Sequence, residues 1–266
     1  MIDLNFGLWW SGAKLSYLRY LTFKTLRHFH PHSRIQLYFS KKFSTELKEK
    51  TQEFTTPDVV KKDYLEDLKK LNVEFVRFDY VHKYAPNHQS DWFRWFFLKE
   101  NCGVYLDTDQ IILKSFKGLP LSKYKFIYSY YDVVSPYAKD GKFCPVGVLG
   151  ASKDSKIVEY INREITNYYQ GNNYNSIGPL MMLDVANKID MSEAFNAPYN
   201  YFYPVPICDY TSSICDGSLK LNSSNFSLHW FGGCDKIVKF KNGYTEEFAK
   251  TSNDAISKFL REKKLI

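Results

Sequence analysis

The first eighty residues alternate short apolar runs with segments of helical period, and no other feature narrows the fold as much. Residues 2–10 (IDLNFGLWW) read as a strand, 15–29 (LSYLRYLTFKTLRHF) as a helix opened at Ser16, and 34–39 (RIQLYF) as a strand. Residues 58–71 (DVVKKDYLEDLKKL) predict an amphipathic helix with Asp58 as its N-cap, and 73–78 (VEFVRF) a further strand. Between them, 40–57 is polar and reads as a loop with one helical turn. Strand and helix in strict alternation define an α/β domain around a central, mainly parallel sheet flanked by helices. Ligands of such sheets bind beyond the carboxyl ends of the strands.

Further along, 90–100 (SDWFRWFFLKE) predicts a helix capped by Asn87 or Ser90 and ended at Cys102-Gly103. The run 104–106 (VYL) is a strand too short to be anything but buried, and 111–114 (IILK) resumes the apolar pattern. Strands are expected at 126–130 and 145–151, helices at 154–169 and 178–188, and a C-terminal helix over 246–264. A Pro- and Tyr-rich stretch at 196–210 is irregular. No linker or repeat divides the 266 residues, so 1–266 reads as a single domain.

Hydrophobic residues at 44% and charged residues at 24% are ordinary for a globular chain and exclude disorder and collagen-like repeats. No apolar run reaches the ~20 residues of a membrane span, and the N-terminus lacks a basic signal-peptide region. Five cysteines without a CxxC pair argue against a disulfide framework or structural zinc, which suits a reducing cytoplasm. The excess of Lys plus Arg (36) over Asp plus Glu (29) is spread along the chain, so it favours an anionic small ligand over nucleic acid.

The sharpest chemical signal is Asp107-Thr108-Asp109 at the end of the buried run 104–106. Side chains at i and i+2 of an extended segment leave on the same side. Two such carboxylates repel unless a cation joins them, and oxygen ligands suit Mg²⁺ or Mn²⁺. The plainer reading is a solvated turn with Asp107 as a cap. Asp91 and Arg94 share one face of the upstream helix, either as an exposed ion pair or as groups reaching the same pocket. His229, in SLHWFGG, is either a packed histidine or a third metal ligand, and Gly232-Gly233 after it would let backbone approach phosphate. Asn172-Asn173-Tyr174-Asn175 offers polar side chains suited to hydroxyl recognition, or is a turn favoured by Gly171. His28, His30 and His32 read as capping groups at a helix end.

The segment Ser90-Asp91-Trp92-Phe93-Arg94, followed by Gly103-Val104-Tyr105-Leu106-Asp107-Thr108-Asp109, resembles the DXD-containing sugar-binding region of glycosyltransferase family 32 and of the clostridial glucosylating toxins. The family pattern is S-D-x-x-R, then G-G-x-Y-x-D-x-D, and Cys102 stands where it usually has Gly. Leu8-Trp9-Trp10-Ser11-Gly12 is similar to its N-terminal I-W-x-G element, Asn175-Ser176-Ile177-Gly178-Pro179 to its T-G-P element, and His229-Trp230 to its C-terminal histidine segment. The resemblance implies a GT-A fold and a nucleotide-sugar donor, with Mn²⁺ or Mg²⁺ as cofactor. It implies that Asp107 and Asp109, with His229, hold metal and diphosphate. Asp91 and Arg94, beside Ser90 and with Asn175, would hold the donor sugar, and Trp9 or Trp10 would stack on the base, Trp9 being the one that aligns. It implies retention of anomeric configuration and transfer to a glycan or lipid-linked glycan, as in surface polysaccharide biosynthesis. A metal-dependent phospho- or nucleotidyltransferase would also need paired aspartates, but not Asp91 and Arg94. A metal-dependent carbohydrate-binding module would ignore the nucleotide.

The segment 246–264 has two readings. Its apolar positions form a packing helix, or its basic end (Lys258, Arg261, Lys263, Lys264) makes a weak peripheral contact with an anionic membrane.

Overall fold

The structure, a computed structural model, describes residues 1–40, 60, 62–79, 84, 86–133, 138–206 and 211–266. In chain order its strands and α-helices are β1 (Phe6–Trp9), α1 (Tyr17–Phe29), β2 (Ile35–Phe39), β3 (Glu74–Arg77), α2 (Pro86–Glu100), β4 (Gly103–Leu106) and β5 (Gln110–Ile112). There follow β6 (Phe126–Tyr128), β7 (Tyr131–Asp132), β8 (Lys142–Phe143), β9 (Val148–Ala151), α3 (Lys156–Tyr168), α4 (Pro179–Lys188) and β10 (Ala194–Asn196). The chain ends with α5 (Ser212–Cys215), β11 (Ser227–His229), α6 (Val238–Gly243), α7 (Glu246–Thr251) and α8 (Ala255–Glu262).

Seven strands form one sheet in the order β10-β6-β9-β4-β1-β2-β3. Only β9 runs against its neighbours, β4 and β6. This is the mainly parallel α/β sheet that the alternation predicts. Central strands buried on both faces need apolar residues in both directions, and β1 supplies them. Phe6, Leu8 and Trp10 enter the core under α1, while Trp9 enters the core under α2. Helix α1 starts where expected, with the Ser16 hydroxyl accepting the Arg19 N–H.

Other boundaries move for identifiable reasons. Helix α2 begins at Pro86, four residues before the expected start, because proline suits the first helical turn. The helix expected over 58–71 is only a 3₁₀ turn at Glu66–Leu71, with Asp58 outside the described residues. The Asp63 carboxylate accepts the N–H groups of Leu15 and Leu65, and this tie to a distant segment replaces a helical turn. The expected loop at 40–57 lies, from 41 on, outside the described residues.

The helix expected over 246–264 is two helices, α7 and α8. Ser252 is extended, and Asp254 caps α8 by accepting the Ser257 N–H at 2.9 Å. Ala255, Ile256, Phe259 and Leu260 are all buried in the main core, so the apolar face of α8 is a packing face. Among the described residues no helix is long and apolar enough to cross a membrane. The expectation of five reduced cysteines is corrected: Cys102, Cys144 and Cys215 are free, whereas Cys234 is disulfide-bonded. His30 is the C-cap of α1, and its Nε2 accepts the Phe116 N–H, a role that burial enforces by holding the ring near pKa 4.

Helix α2 packs on β1 at Gly7, where a Cβ would overlap the Phe97 ring. Gly7→Ala should therefore cost about 1–3 kcal/mol through overpacking. Phe97→Leu in the same chain should recover part of that loss, because the two changes share one contact. Urea unfolding midpoints of the two single variants and the double variant measure this, and strict additivity would contradict it.

Candidate metal and sugar site

Strand β4 carries Val104, Tyr105 and Leu106 through the sheet centre and delivers Asp107 at its carboxyl end, where the Asp107 N–H donates to the Gly147 carbonyl at 2.8 Å. Arg94 reaches the same point from α2. Its guanidinium donates to Asp91 one turn back, to the Tyr105 hydroxyl at 3.3 Å and to Asp107 Oδ1 at 3.1 Å. It also lies over the Tyr105 ring at 4.7 Å, and the Tyr105 hydroxyl in turn donates to Asp107 Oδ1. Asp91 and Arg94 are buried, which rules out the exposed ion pair as their explanation. Burial pushes Asp91 up to about 6 despite the adjacent guanidinium.

The two carboxylates of the Asp-Thr-Asp turn meet His229 from β11. His229 Nε2 is 3.0 Å from Asp109 Oδ1 and 3.8 Å from Asp107 Oδ2. The Gly232 N–H donates to Asp109 Oδ2 at 2.7 Å, so this glycine supports the aspartate rather than offering its amide outward. Thr108 turns the other way. It accepts from Arg19 at 2.7 Å, and Arg19 lies between the rings of Trp10 and Trp230 at 4.6 and 5.3 Å. Burial opposes charge on Asp107, but Arg94 and His229 hold it below the usual carboxylate range. For Asp109 the burial penalty is outweighed by His229, Arg19 and the Gly232 N–H, and its pKa is likewise depressed. The same carboxylates overcome burial at His229 and raise it to about 9.

Three observations test whether a divalent ion fits. One donor atom from each of Asp107, Asp109 and His229 lies within 4.8 Å of the others. His229 Nε2 is buried, 3.0 Å from an oxygen of Asp109 and 3.8 Å from one of Asp107. A Cβ on Gly147 would stand 2.7 Å from Asp107 Oδ2 and 3.3 Å from His229 Nε2, so glycine keeps the approach open. Carboxylates with an imidazole fit Mn²⁺ or Mg²⁺.

The remaining expected residues are placed unevenly. Asn175 contributes through its backbone: its carbonyl accepts the N–H groups of Gly178 and Leu180, shaping the turn that sets Gly178 against Asp91. A Cβ on Gly178 would stand 3.0 Å from Asp91 Oδ1. Ser90 is half-buried on α2 beside Asp91. Trp9 is buried against Phe93 and Phe78, at ring separations of 5.4 and 6.2 Å, and Trp10 against Arg19. Sequence reasoning missed Arg19, Tyr105 and Gly147. Tyr105 was open to detection, since it stands two residues before Asp107 on the same side of the strand, and a glycine within an apolar run, such as Gly147, marks close approach.

Residues 19–127 match the family model described as "Glycosyltransferase sugar-binding region containing DXD motif". No curated protein matches the chain by sequence. Among solved structures, the chain is similar to the PaToxG glycosyltransferase, with 19% identity, a TM-score of 0.52 and coverage of 70% of this chain and 69% of that one. It is also similar to galactosyltransferase LgtC in complex with donor and acceptor sugar analogs (16% identity, TM-score 0.47, covering 92% and 99%). A third is the glycosyltransferase GlyE of Streptococcus pneumoniae (14% identity, TM-score 0.47, covering 99% of this chain and 64% of that one). The fold is GT-A, and residues 19–127 are similar to the DXD-containing sugar-binding region of glycosyltransferases.

Arg94→Ala would leave Asp91 and Asp107 buried without their cation, and should cost about 3–5 kcal/mol of folding stability. Calorimetry of the variant checks this, and an unchanged melting temperature would contradict it. His229 generates a pH dependence of opposite sign to the aspartates. Its folded pKa of about 9 lies above the ordinary 6.5, so in metal-free protein its stabilising effect is complete below pH 6.5 and is lost as pH rises through 9. Unfolding in EDTA should show stability falling over that window in wild type. The fall should be absent from His229→Gln.

Proposed function

We propose that the chain transfers a sugar from a nucleotide-sugar donor to a hydroxyl of a glycan or lipid-linked glycan, with retention and with a divalent cation held by Asp107, Asp109 and His229. The observation that carries this reading is the convergence of those three groups at the end of β4, joined to Asp91 through Arg94. The mixed oxygen and imidazole donor set favours Mn²⁺ over Mg²⁺. When bound, the cation supplies positive charge against the diphosphate that leaves. Asp91 is the group for the donor sugar's hydroxyls: it is buried beside Gly178, where the missing Cβ lets a ring approach. Arg94 fixes Asp91 and Asp107 in register, so that sugar and diphosphate are held in one geometry.

The acceptor side is assigned to a cavity of about 390 Å³ on the same 173–184 segment. Amides of Asn167, Gln170 and Asn173 line it together with Leu180 and Met181, a mix of polar and apolar groups that suits a sugar ring. Its wall is tied to the donor side, because the Asn173 carbonyl is hydrogen-bonded to His88, one turn before Asp91. A lipid-linked acceptor would meet a chain whose α8 exposes Lys258 and Glu262, with Lys263 and Lys264 exposed just beyond it.

The test is a hydrolysis and transfer screen over nucleotide sugars with Mn²⁺, Mg²⁺ or EDTA. Free sugar and nucleoside diphosphate should form with Mn²⁺ and stop in EDTA. Asp107→Asn and Asp109→Asn should each lower turnover by at least about 100-fold, the scale set by losing a charge stabiliser in a buried site. Release of sugar phosphate instead of free sugar would identify a nucleotidyl- or phosphotransferase. Full activity in EDTA would exclude the metal-dependent reading.

A further inference from the structure

We propose that Gln110 is the residue that orients His229 as a metal ligand, its side-chain carbonyl accepting the His229 Nδ1–H. This rests on the reading of Asp107, Asp109 and His229 as the cation site.

The argument starts from the β5–β11 ribbon. Gln110 lies directly opposite His229, and Ile112 opposite Ser227. The Trp230 N–H donates to the Asp109 carbonyl at 3.0 Å, and the Leu113 N–H to Phe226 at 2.8 Å. That phase makes Gln110 and His229 a non-hydrogen-bonded pair, the type whose Cα atoms approach to about 4.5 Å and whose side chains stand closest. The His229 N–H points out of the ribbon, to the Phe202 carbonyl at 3.2 Å. Gln110, Ser227 and His229 therefore share one face of the ribbon, with Ile112 as the fourth member.

All three polar residues carry unpaired buried atoms. Gln110 is fully buried, and neither Oε1 nor Nε2 has a partner. Ser227 Oγ is buried and unpaired, and so is His229 Nδ1. An unsatisfied buried amide is among the more costly features a strand can carry, and leucine or isoleucine would suit this position better if packing alone decided it. A metal-bound histidine almost always donates its second ring N–H to a carboxylate, a carbonyl or water. The Gln110 carbonyl provides that acceptor without adding negative charge beside two aspartates. Its amide N–H₂ then faces Ser227, diagonal on the same face and within reach of a long side chain. One rotation of the glutamine thus satisfies all three residues. It leaves the Nε2 lone pair of His229 directed at the aspartates.

The experiment is titration of Mn²⁺ into the full chain without nucleotide, by calorimetry, for wild type, Gln110→Met, Gln110→Glu and His229→Ala. It is joined to ¹⁵N spectra of the imidazole in metal-free protein. Gln110→Met keeps the length and removes both polar atoms. It should weaken Mn²⁺ binding roughly 10–100-fold while the metal-free melting temperature holds or rises. Gln110→Glu, which can still accept, should bind Mn²⁺ at least as tightly as wild type. In wild type the His229 Nδ1–H should exchange slowly, and in Gln110→Met quickly. Mn²⁺ affinity in Gln110→Met within twofold of wild type, with His229→Ala weakened, would overturn the role of Gln110 alone. Equal affinity in wild type and His229→Ala would overturn the metal site, and the proposal with it. The same Nδ1–H exchange in wild type and Gln110→Met would refute the hydrogen bond whatever the metal result.

Discussion

The guanidinium of Arg94 is the interaction on which the rest of the site depends. It is buried, and it holds Asp91 on a helix to Tyr105 and Asp107 at the end of a strand. Burying one carboxylate is costly, and burying several side by side is prohibitive without compensating charge. One delocalised cation with a forked set of donors serves two carboxylates and a phenol, which a lysine ammonium would not do with the same geometry. The second centre of positive charge is His229, protonated between the aspartates when no metal is present. A cation bound at the same nitrogen would have to displace that proton.

Backbone features make room for this arrangement. Gly147 and Gly178 stand where any side chain would press on Asp107 or Asp91. Where β4 begins, Cys102 takes a φ of 47° and Gly103 a φ of 111°, so two successive residues lie in the region that favours glycine. The resemblance places glycine at Cys102 for this conformational reason, and cysteine there is strained although it is small.

The sheet and the aspartate turn were legible because they rest on local pattern. A short apolar run ending in Asp-x-Asp can be read without knowing its neighbours, and Ser16 announces the helix it caps. What was not legible depends on residues far apart in the chain. Asp63 reaches back to Leu15, and that tie removes a helix which its own sequence favours. His229 remained ambiguous until the β5–β11 pairing placed it against Asp109. Trp9 and Trp10 pack in two different cores, one beneath α2 and one beneath α1. The aromatic neighbours that enclose Trp9, and the arginine on Trp10, come from α2 and α1, which no pattern around residue 9 contains. Arg19 looked like an ordinary polar position of an amphipathic helix.

Strand β9 runs against the strands on either side of it. In a purely parallel sheet, the ligand edge is built only from loops that leave strands. Here Val148, the first residue of β9, pairs with Leu106, the last of β4, so one segment enters the sheet at the edge where the others leave it. The chain between β6 and β9, including the β7–β8 hairpin, begins and ends at that edge. Its interior can lengthen, shorten or change composition, whereas Gly147 at its end must stay, because its carbonyl accepts the Asp107 N–H and a side chain there would press on the carboxylate. A lineage could therefore exchange a segment at the ligand edge, and with it the molecule that is admitted, while β4 and its aspartates stay fixed.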